Sequence, residues 1–271
     1  MKGARVIPRL AFGPAPVAGE RMLSEEVAVA LSFNGSAQAV MMATPSDLED
    51  FAYGFALTEG IATPAEILEI EVVRAGSGID VQCWLEPGAE ARLASRRRTM
   101  AGPVGCGLCG IDSIDQALRE PATVPHGGLR MTPAQVMAAI AALPAQQPLH
   151  DLTRSAHCAG FWTAGALVTT REDVGRHNAL DKLAGWALRS GADTGQGAVV
   201  LTSRVSIDLV QKVAALRCGI LIAVSAPTAD AVALAERAGI TLIALARPDR
   251  FEAFTHTDRI VTESAHVGHP R

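Results

Sequence analysis

The sequence lacks a long uninterrupted hydrophobic run. Glycine, proline or a charged residue interrupts every apolar stretch before it reaches the ~20 residues that a membrane-spanning helix needs. Residues 1–21 include basic side chains but no apolar core ahead of their prolines, so the pattern does not predict a secretory signal. We therefore expect a soluble cytoplasmic protein with no membrane partner.

The sequence also lacks an excess of positive charge, an internal repeat and a low-complexity tract. Its formal net charge is -4, which argues against non-specific binding to nucleic acid, so a polyanionic ligand has to be bound in a local basic pocket. The 271 residues are 49% hydrophobic and 19% charged, as is typical of globular proteins. This length predicts one large or two modest domains, each with a buried core.

Cysteine is scarce, and its pattern lacks a second cysteine pair. The chain has five cysteines, an odd number that favours a reducing compartment and chemical use over disulfides. Cys106 and Cys109 form a C-x-x-C pair, whereas Cys83, Cys158 and Cys218 are scattered singly. A structural zinc site needs about two further clustered ligands, so no permanently bound metal is expected. None of the seven histidines precedes a glutamate by two residues, which excludes the zinc-deaminase signature.

The C-x-x-C pair lies in a glycine-rich loop with the sequence CGLCG, residues 106–110. Glycines at 105, 107 and 110 predict a mobile backbone. A persulfide carrier needs an exposed thiolate and enough reach to present sulfur to an acceptor, and this loop meets both demands. Sulfur transfer is thus favoured, while a dithiol redox couple, a metal site and an inert pair remain open.

The first part of the chain predicts a small α+β domain. Residues 1–20 show no period and are expected to form a mobile arm. Asn34-Gly35 between two apolar segments predicts a tight hairpin turn, and Thr44-Pro45 predicts a helix start. The predicted elements of the domain over 21–105 are a hairpin of 25–33 and 36–43, a helix from 44 to near 60, a hairpin of 67–74 and 79–85, and a short strand at 91–95.

The second part, from residue 106 to 271, predicts an α/β domain. Helices are expected at 111–118 and 131–143, and the apolar stretch 159–170 is expected to be a strand. Short apolar runs alternate with helical patterns further along, which predicts a β-α-β-α-β unit with its ligand beyond the carboxyl ends of the strands. The segments of this unit are 198–202, 206–217, 219–224, 228–238 and 240–246.

Four polar segments around these elements are candidate binding sites. His157 stands at the entry to an apolar stretch, where a core or turn role is also common. Asp173 precedes a helix that starts near His177, so the segment either caps that helix or binds a phosphate or carboxylate.

Ser203 and Arg204 are placed at the ligand edge of the predicted sheet, with Ser206 near an N-cap. Arg247 and Arg250 follow the last strand, where two guanidinium groups are suited to phosphate oxygens.

These motifs together resemble the FdhD family of accessory sulfurtransferases, which formate dehydrogenase activity requires. The resemblance extends from about Ser24 to Ile260, with the motifs in the family's order. The segments that carry it are ATPSDLEDFAYGFALTEGI, CGLCG, REDVGRHNALDKL, SRVSIDLVQK, AVSAPTADAVALAERAGITLIALAR and FTHTDRI.

The resemblance implies a sulfurtransferase that takes sulfur from a cysteine desulfurase and passes it to the molybdenum bis(molybdopterin guanine dinucleotide) cofactor of formate dehydrogenase. It implies a persulfide on Cys106 with help from Cys109, a cytidine-deaminase-like α/β/α sandwich in the C-terminal part, and a homodimer. The alternative is a chaperone that binds the cofactor without sulfur chemistry. The cofactor-binding residues implied by the resemblance, together with those predicted above, are Leu245, Ala246, Arg247, Pro248, Asp249, Arg250, Ser203, Arg204, His177 and His157.

The chain departs from the pattern of many relatives in two segments and at one further residue. Thr153-Arg154-Ser155-Ala156-His157 stands where they have T-G-G-x-H, and Thr202-Ser203-Arg204 stands where they have S-G-R. Leu245 replaces an aromatic residue at the end of the last strand. These differences lie in the binding segments and leave the cysteine loop unchanged.

Overall fold

The computed structural model describes residues 3–99 and 119–262, and the side chains of 94–99 are not described. The loop with Cys106 and Cys109 and the predicted helix 111–118 lie outside the described residues. The strands are β1 Ala4–Ala11, β2 Val17–Ser24, β3 Val27–Phe33, β4 Ser36–Ala43, β5 Ile67–Ala75, β6 Gly78–Leu85, β7 His157–Thr163, β8 Ala166–Asp173, β9 Gly197–Leu201, β10 Ile220–Ala223, β11 Thr241–Arg247 and β12 Arg250–Ala253. The described α-helices are α1 Leu48–Thr58, α2 Pro87–Thr99, α3 Pro133–Ala142, α4 Pro148–Thr153, α5 Arg176–Ser190, α6 Ile207–Ala215 and α7 Ala229–Ala238.

The chain forms a mixed α/β fold that divides into two compact units. The first contains Met1–Arg119, Ala145–Ala159 and Thr170–Ala192, and the second contains Glu120–Pro144, Gly160–Thr169 and Asp193–Arg271. This division differs from the linear boundary expected near residue 105, because two later segments cluster with the N-terminal part of the chain.

The N-terminal segment forms a β-hairpin where the sequence, which shows no period over residues 1–20, predicted a mobile arm. Strands β1 and β2 pair antiparallel from Ala4↔Ser24 to Ala11↔Val17. Pro8 lies inside β1, which has only one partner strand. Proline is tolerated in an edge strand because its missing N–H can face away from the ladder. The absence of a clear alternating pattern hid this hairpin.

A four-stranded sheet, in the order β4-β3-β6-β5, forms the centre of the first unit. Both hairpins predicted from the sequence are confirmed, with Asn34 and Gly35 at φ 46° and 74° in the first turn. One face of the sheet packs against α1 and forms a core in which Leu31, Phe33 and Phe51 are fully buried.

Two local predictions in this unit are wrong. Residues 91–95 belong to helix α2 and not to a strand. Helix α1 begins at Leu48 with Asp47 as its N-cap, whereas Thr44 was the predicted cap. Thr44 instead donates its backbone N–H to the Asp173 carboxylate and accepts from the backbone N–H of Val174. A long-range contact therefore replaces the local capping bond.

Helices α1 and α5 approach each other through glycine. A Cβ atom on Gly54 would overlap the backbone carbonyl of Asp181, and one on Gly185 would overlap that of Asp50. The Thr58 hydroxyl also donates to the buried Asp181 carboxylate at 2.7 Å. This close packing fixes the position of α5, whose N-terminus carries the predicted site residue His177.

The second unit contains the β-α-β-α-β arrangement predicted from the sequence. Strand β10 pairs in parallel with both β9 and β11, and helices α6 and α7 connect the three strands. The side chains of β9 and β10 are buried throughout, as their continuous apolar sequences predict. The strands that lie wholly within this unit have the order β12-β11-β10-β9.

Residues 159–170, expected as one strand, contribute to two. Strands β7 and β8 are separated by Ala164 and Gly165, both at positive φ. Alanine rarely adopts this conformation, so the Ala-Gly pair gave a weak turn signal.

In the part of the chain that the structure describes, no helix has the length and hydropathy to span a membrane.

Candidate functional site

The three described cysteines are poor nucleophiles. Cys83, Cys158 and Cys218 are all buried, and burial is the main cause of their raised pKa values. The pKa of Cys83 reaches about 12 and that of Cys218 about 11, and the neighbouring Glu172 carboxylate further raises the pKa of Cys158. A thiol with such a pKa is almost entirely protonated near neutral pH. The two other cysteines, Cys106 and Cys109, lie outside the described residues.

In the second unit, three loops leave the same edge of the parallel sheet. The loop after β9 contains Ser203 and Arg204, and the loop after β10 contains Ser225. The turn after β11 consists of Pro248 and Asp249, so the predicted segment 245–250 covers the end of β11, this turn and the first residue of β12. Because parallel strands end at the same edge, the predicted residues of β9 and β11 are brought to one side of this sheet. Loops at such an edge are the usual place for a ligand in α/β folds.

The backbone at the end of β11 is irregular at the first residue of the predicted binding segment. Leu245 has φ 51°, and the pairing of β11 with β12 shifts register between Ala244 and Arg247. The N–H of Leu245 donates to the carbonyl of Ser225 in the neighbouring loop, at 3.3 Å. A bulge with a non-glycine residue at positive φ is strained, and such strain is frequent at functional sites.

The two arginines of this segment have different surroundings. Arg247 donates from Nη1 to the carbonyl oxygens of Val224 at 2.6 Å and Ala246 at 2.8 Å, so its guanidinium stabilises the loop after β10. Arg250 begins β12 with a side chain that is 73% exposed and pairs with Asp249 at 3.3 Å. Pro248 and Asp249 form the turn between them. Arg250 is therefore better placed than Arg247 to bind an anion from solution.

The loop after β9 contains the predicted residues Ser203 and Arg204 and the N-cap residue Ser206. Ser203 is buried and donates its hydroxyl to the carbonyl of Arg204, whose side chain is exposed and forms no ion pair with a described residue. Ser206 is the N-cap residue of α6, as predicted, but its hydroxyl makes no capping bond. The Ser206 Oγ is buried and has no hydrogen-bond partner among the described residues. A buried hydroxyl without a partner is costly and indicates a position that a ligand or water completes.

In the first unit, Asp173 organises the start of α5. Its Oδ1 atom accepts from the N–H of Gly175 at 2.8 Å and from Nδ2 of Asn178 at 3.0 Å. Its Oδ2 atom accepts from the N–H of Thr44 at 3.0 Å and from Nζ of Lys182 at 2.7 Å. The N-cap Gly175 supplies no side-chain cap, so Asp173 holds the helix start in place without capping the amides of the first turn.

The predicted residues His157 and His177 share an electrostatic neighbourhood in the first unit. His157 is half-buried, and burial lowers its pKa, as do electrostatic interactions with the nearby Arg176, His150 and His177. The Nε atom of Arg176 is buried without a hydrogen-bond partner in the described parts of the chain. His157 is therefore mainly neutral near pH 7.

Sequence reasoning missed the contribution of His150 and Glu172 to this neighbourhood. The Glu172 carboxylate accepts from the backbone N–H groups of Leu149 and His150, both at 2.8 Å, at the N-terminus of α4. Its pKa is nevertheless raised, because burial outweighs these two bonds. The ring Nδ1 of His150 lies 2.9 Å from the Ala156 carbonyl. In the sequence, the start of this short helix was indicated only by Pro148, its first residue. The carboxylate that accepts from the helix amides belongs to Glu172, which lies 22 residues after His150.

The chain is similar to known proteins over most of its length. It is 52% identical over 248 residues to the sulfur carrier protein FdhD of Agrobacterium fabrum, which covers 91% of this chain and 92% of the relative. The FdhD sulfur carrier protein of Cupriavidus necator is 48% identical over 254 residues, 91% of this chain and 88% of the relative.

A solved structure and a family model agree with these relatives. The crystal structure of a protein described as a formate dehydrogenase accessory protein, from Desulfotalea psychrophila, matches with a TM-score of 0.75 and 26% identity, covering 95% of this chain and 99% of that one. The model of the FdhD/NarQ family matches residues 24–261. With this match and a relative at 52% identity, the chain belongs to the FdhD/NarQ family.

Proposed function

We propose that this protein is a sulfurtransferase that carries sulfur as a persulfide on Cys106. The observation that carries the proposal is the burial and raised pKa of the three described thiols, which leaves Cys106 and Cys109 as the reactive pair. Relatives that cover about nine-tenths of this chain are named sulfur carrier proteins. A sulfur carrier needs one accessible thiolate and little competition from other thiols.

The proposed first step is a thiol exchange. The Cys106 thiolate attacks the outer sulfur of a persulfide on a cysteine desulfurase, a new S–S bond forms on Cys106, and the donor cysteine leaves as a thiolate. In the proposed second step, the Cys109 thiolate attacks the Cys106 Sγ and displaces hydrosulfide to the acceptor. The resulting Cys106–Cys109 disulfide balances the two electrons gained by the sulfur, and a dithiol reductant restores both thiols.

The proposed acceptor is the molybdenum bis(molybdopterin guanine dinucleotide) cofactor, bound as a substrate before it enters formate dehydrogenase. Its diphosphates suit the exposed Arg204 and Arg250 and the Ser206 hydroxyl, and the segment Leu245–Arg250 supplies further contacts at the strained strand end. His157 and His177 are proposed as additional cofactor contacts in the first unit. A link to formate dehydrogenase is supported by a solved neighbour that is described as a formate dehydrogenase accessory protein.

Three further parts of the proposal concern assembly and setting. We infer that the second unit belongs to a cytidine-deaminase-like α/β/α sandwich, which the β-α-β-α-β connectivity supports. A homodimer is proposed, with a cysteine desulfurase as donor and formate dehydrogenase as the recipient of the cofactor. A reactive thiol pair requires a reducing compartment, which favours the cytoplasm.

A persulfide assay tests the proposal. The full chain is incubated with a cysteine desulfurase and cysteine, and intact-mass spectrometry then measures a sulfur-sized adduct. We expect this adduct on the wild type and its loss in Cys106→Ala, while Cys109→Ala keeps the adduct and releases it slowly. An adduct that Cys106→Ala leaves unchanged would contradict the assignment.

The rival function is a chaperone that binds the cofactor without sulfur chemistry. The predicted binding groups at the sheet edge favour it as a second candidate, because they require no thiol. A strain that lacks its own sulfur carrier and expresses the Cys106→Ala/Cys109→Ala variant distinguishes the two. Full formate dehydrogenase activity in that strain favours the chaperone, and loss of activity with cofactor binding retained favours sulfur transfer.

A further inference from the structure

The N-terminal hairpin of β1 and β2 ends in an apolar tip, residues 10–18. No residue of this tip has a charged or polar side chain, and all of them except Ala11 are exposed. Leu10, Phe12 and Val17 are 54%, 81% and 61% exposed. Large apolar side chains that are exposed together mark a surface that contacts a partner or a membrane.

The hairpin is fixed at its base and uncovered at its tip. The N–H of Glu25 donates to the Gly3 carbonyl at 2.8 Å, and the Ser24 hydroxyl donates to Thr153 at 2.8 Å. Near the tip, by contrast, a Cβ atom on Gly13 would have no atom within 4 Å. A two-stranded hairpin is marginally stable in water without further packing. The apolar tip is therefore available to another surface.

Basic side chains follow the apolar tip on one face of the hairpin. Side chains alternate between the two faces of a strand, so Arg5 and Arg9 share a face, and the pairing of Ile7 with Arg21 places Arg21 on it as well. All three arginines are exposed, and none of them forms an ion pair with a residue that the structure describes. These guanidinium groups are available to anionic groups outside the chain.

The charge of the hairpin has the opposite sign to that of the whole chain. Glu20 is the one acidic residue of β1 and β2, and its pairing with Pro8 places it on the face opposite the arginines. Three arginines and one glutamate give the hairpin a charge of +2, whereas the formal net charge of the chain is -4. A local positive charge of this kind orients the hairpin toward an anionic surface.

We propose that the N-terminal hairpin is a peripheral membrane anchor, which inserts its apolar tip into a bilayer that contains anionic lipids. Two residues separate the Leu10↔Ala18 pair from Phe12, so the tip reaches roughly 7 Å beyond this pair. Amphipathic elements at a bilayer surface bury their apolar groups to a similar depth, roughly 5–10 Å.

The arginines lie at the height of the lipid phosphates when the tip is inserted. Arg9 is one residue from Leu10, and Arg21, opposite Ile7, is three residues away, which corresponds to roughly 3 and 10 Å along the hairpin. The headgroup layer is roughly 5–8 Å thick on each side of a bilayer. Guanidinium groups bind phosphate oxygens through charge-assisted hydrogen bonds.

A bilayer fits the tip better than an acidic protein surface does. The register places Leu10 and Val17 on opposite faces of the hairpin, and Phe12 lies beyond the last strand pair. Lipid chains surround an inserted tip on all sides, whereas a protein surface that binds the arginines would leave Leu10 on the far face. The apolar side chains on both faces thus favour lipid.

This association differs from the sequence-based expectation of no membrane partner, because that expectation rested on the lack of a membrane-spanning segment. The match to the family model begins at residue 24, so nearly all of the hairpin precedes it. The anchor therefore adds a location to the proposed sulfur transfer and does not depend on its chemistry.

Co-sedimentation of the full chain with vesicles tests the proposal. We expect binding to vesicles of phosphatidylcholine and phosphatidylglycerol in equal parts, little binding to phosphatidylcholine alone, and weaker binding as salt is added. Arg9→Gln/Arg21→Gln should lower the binding constant about thirtyfold. The control Arg74→Gln/Arg217→Gln changes the net charge equally at exposed arginines outside the hairpin and should bind like the wild type.

Two measurements test insertion of the tip. The indole introduced by Phe12→Trp should be quenched by vesicles with brominated acyl chains, beyond the quenching seen with the wild type. Phe12→Ser/Val17→Ser should bind the anionic vesicles about tenfold more weakly or worse. Val40→Ser/Leu68→Ser changes two apolar side chains outside the hairpin, which are 58% and 64% exposed, and should leave binding unaltered.

The outcomes separate a bilayer from other partners. A wild-type chain that does not bind the anionic vesicles would overturn the proposal. Charge-dependent binding without additional quenching of the Phe12→Trp indole would also overturn it, and would indicate an acidic protein surface as the partner of the arginines. Persulfide formation, measured in the same samples, reports on the sulfur chemistry separately, so failure of one proposal is distinguishable from failure of the other.

Discussion

Lys182 and Asp173 form an ion pair in which Nζ and Oδ2 lie 2.7 Å apart and both side chains are fully buried. Lys182 also donates to the Thr44 carbonyl at 2.9 Å, so a single buried ammonium group connects α5, β8 and the end of β4. The same carboxylate positions the start of α5, where Arg176 and His177 are located. The candidate binding residues of the first unit therefore depend on this pair.

Replacing Lys182 with methionine is expected to lower the free energy of unfolding by about 3–5 kcal/mol, because it leaves a buried carboxylate without its cation. Urea denaturation measures this change. The double variant Asp173→Asn/Lys182→Met should recover part of the loss. Arg237→Met, which breaks an exposed ion pair with Glu120, serves as the control and is expected to cost under about 1 kcal/mol. An equal decrease in the free energy of unfolding in Lys182→Met and Arg237→Met would contradict the role of burial.

Gly54→Ala is expected to destabilise the first unit by about 1–3 kcal/mol or more, since the new methyl group overlaps the Asp181 carbonyl and forces the helices apart. Gly13→Ala is the matched control, because nothing lies within 4 Å of a Cβ atom there. Thermal unfolding of both variants checks the prediction. A Gly54→Ala protein as stable as the wild type would show that α1 and α5 can separate at no cost.

Thiol labelling should distinguish the cysteines by burial. In native buffer at neutral pH, we expect iodoacetamide to modify Cys106 and Cys109 and to leave Cys83, Cys158 and Cys218 unmodified, because burial keeps these three protonated and inaccessible. In denaturant, all five should react. Peptide mass spectrometry identifies the modified residues, and rapid native labelling of Cys158 or Cys218 would argue against the assignment of the reactive pair.

The lowered pKa of His157 predicts a pH dependence of stability. In the unfolded chain His157 has a pKa of about 6.5, whereas in the folded chain its pKa is lower. As the pH falls below about 6.5, the unfolded chain therefore binds a proton before the folded chain does. The free energy of unfolding consequently decreases as the pH falls from about 6.5 through the folded pKa of His157. His157→Gln should flatten the dependence between pH 7.5 and 5, as measured by urea denaturation. An unchanged slope in that variant would show that other groups cause the dependence.

Arg247 at the end of β11 and Arg250 at the start of β12 should separate stability from binding. Because its side chain is exposed, Arg250→Ala is expected to change the free energy of unfolding by under about 0.5 kcal/mol. The same variant is expected to bind GDP about tenfold more weakly, which corresponds to the loss of one charge-assisted hydrogen bond. Arg247→Ala should lower stability by about 1–3 kcal/mol, because it leaves the Val224 carbonyl without its donor. Calorimetry with GDP and urea denaturation test both variants, and unaltered GDP affinity in Arg250→Ala would exclude this contact.

Local patterns predicted many elements of the fold. The Asn34-Gly35 turn and the β-α-β-α-β unit followed from turn chemistry and from short apolar runs, which depend on neighbours in the sequence. The N-terminal hairpin and the Ala164-Gly165 turn did not, since Pro8 interrupts one pattern and alanine rarely takes a positive φ. A strand was predicted at residues 91–95, which belong to helix α2, because the apolar residues there show no distinct helical period.

The sequence by itself determined the family motifs, the cysteine pair and the β-α-β-α-β connectivity of the second unit. Only the tertiary structure decided which side chains are buried and which groups they contact through hydrogen bonds or ion pairs. Asp173 was a candidate cap in the sequence, yet its partners include Thr44, 129 residues away. Arg247 and Arg250 are equivalent in the sequence, but in the structure Arg247 donates to the carbonyl of Val224 whereas Arg250 is exposed. Burial and long-range hydrogen bonds set the pKa and availability of a side chain, and neither is encoded in its immediate neighbours.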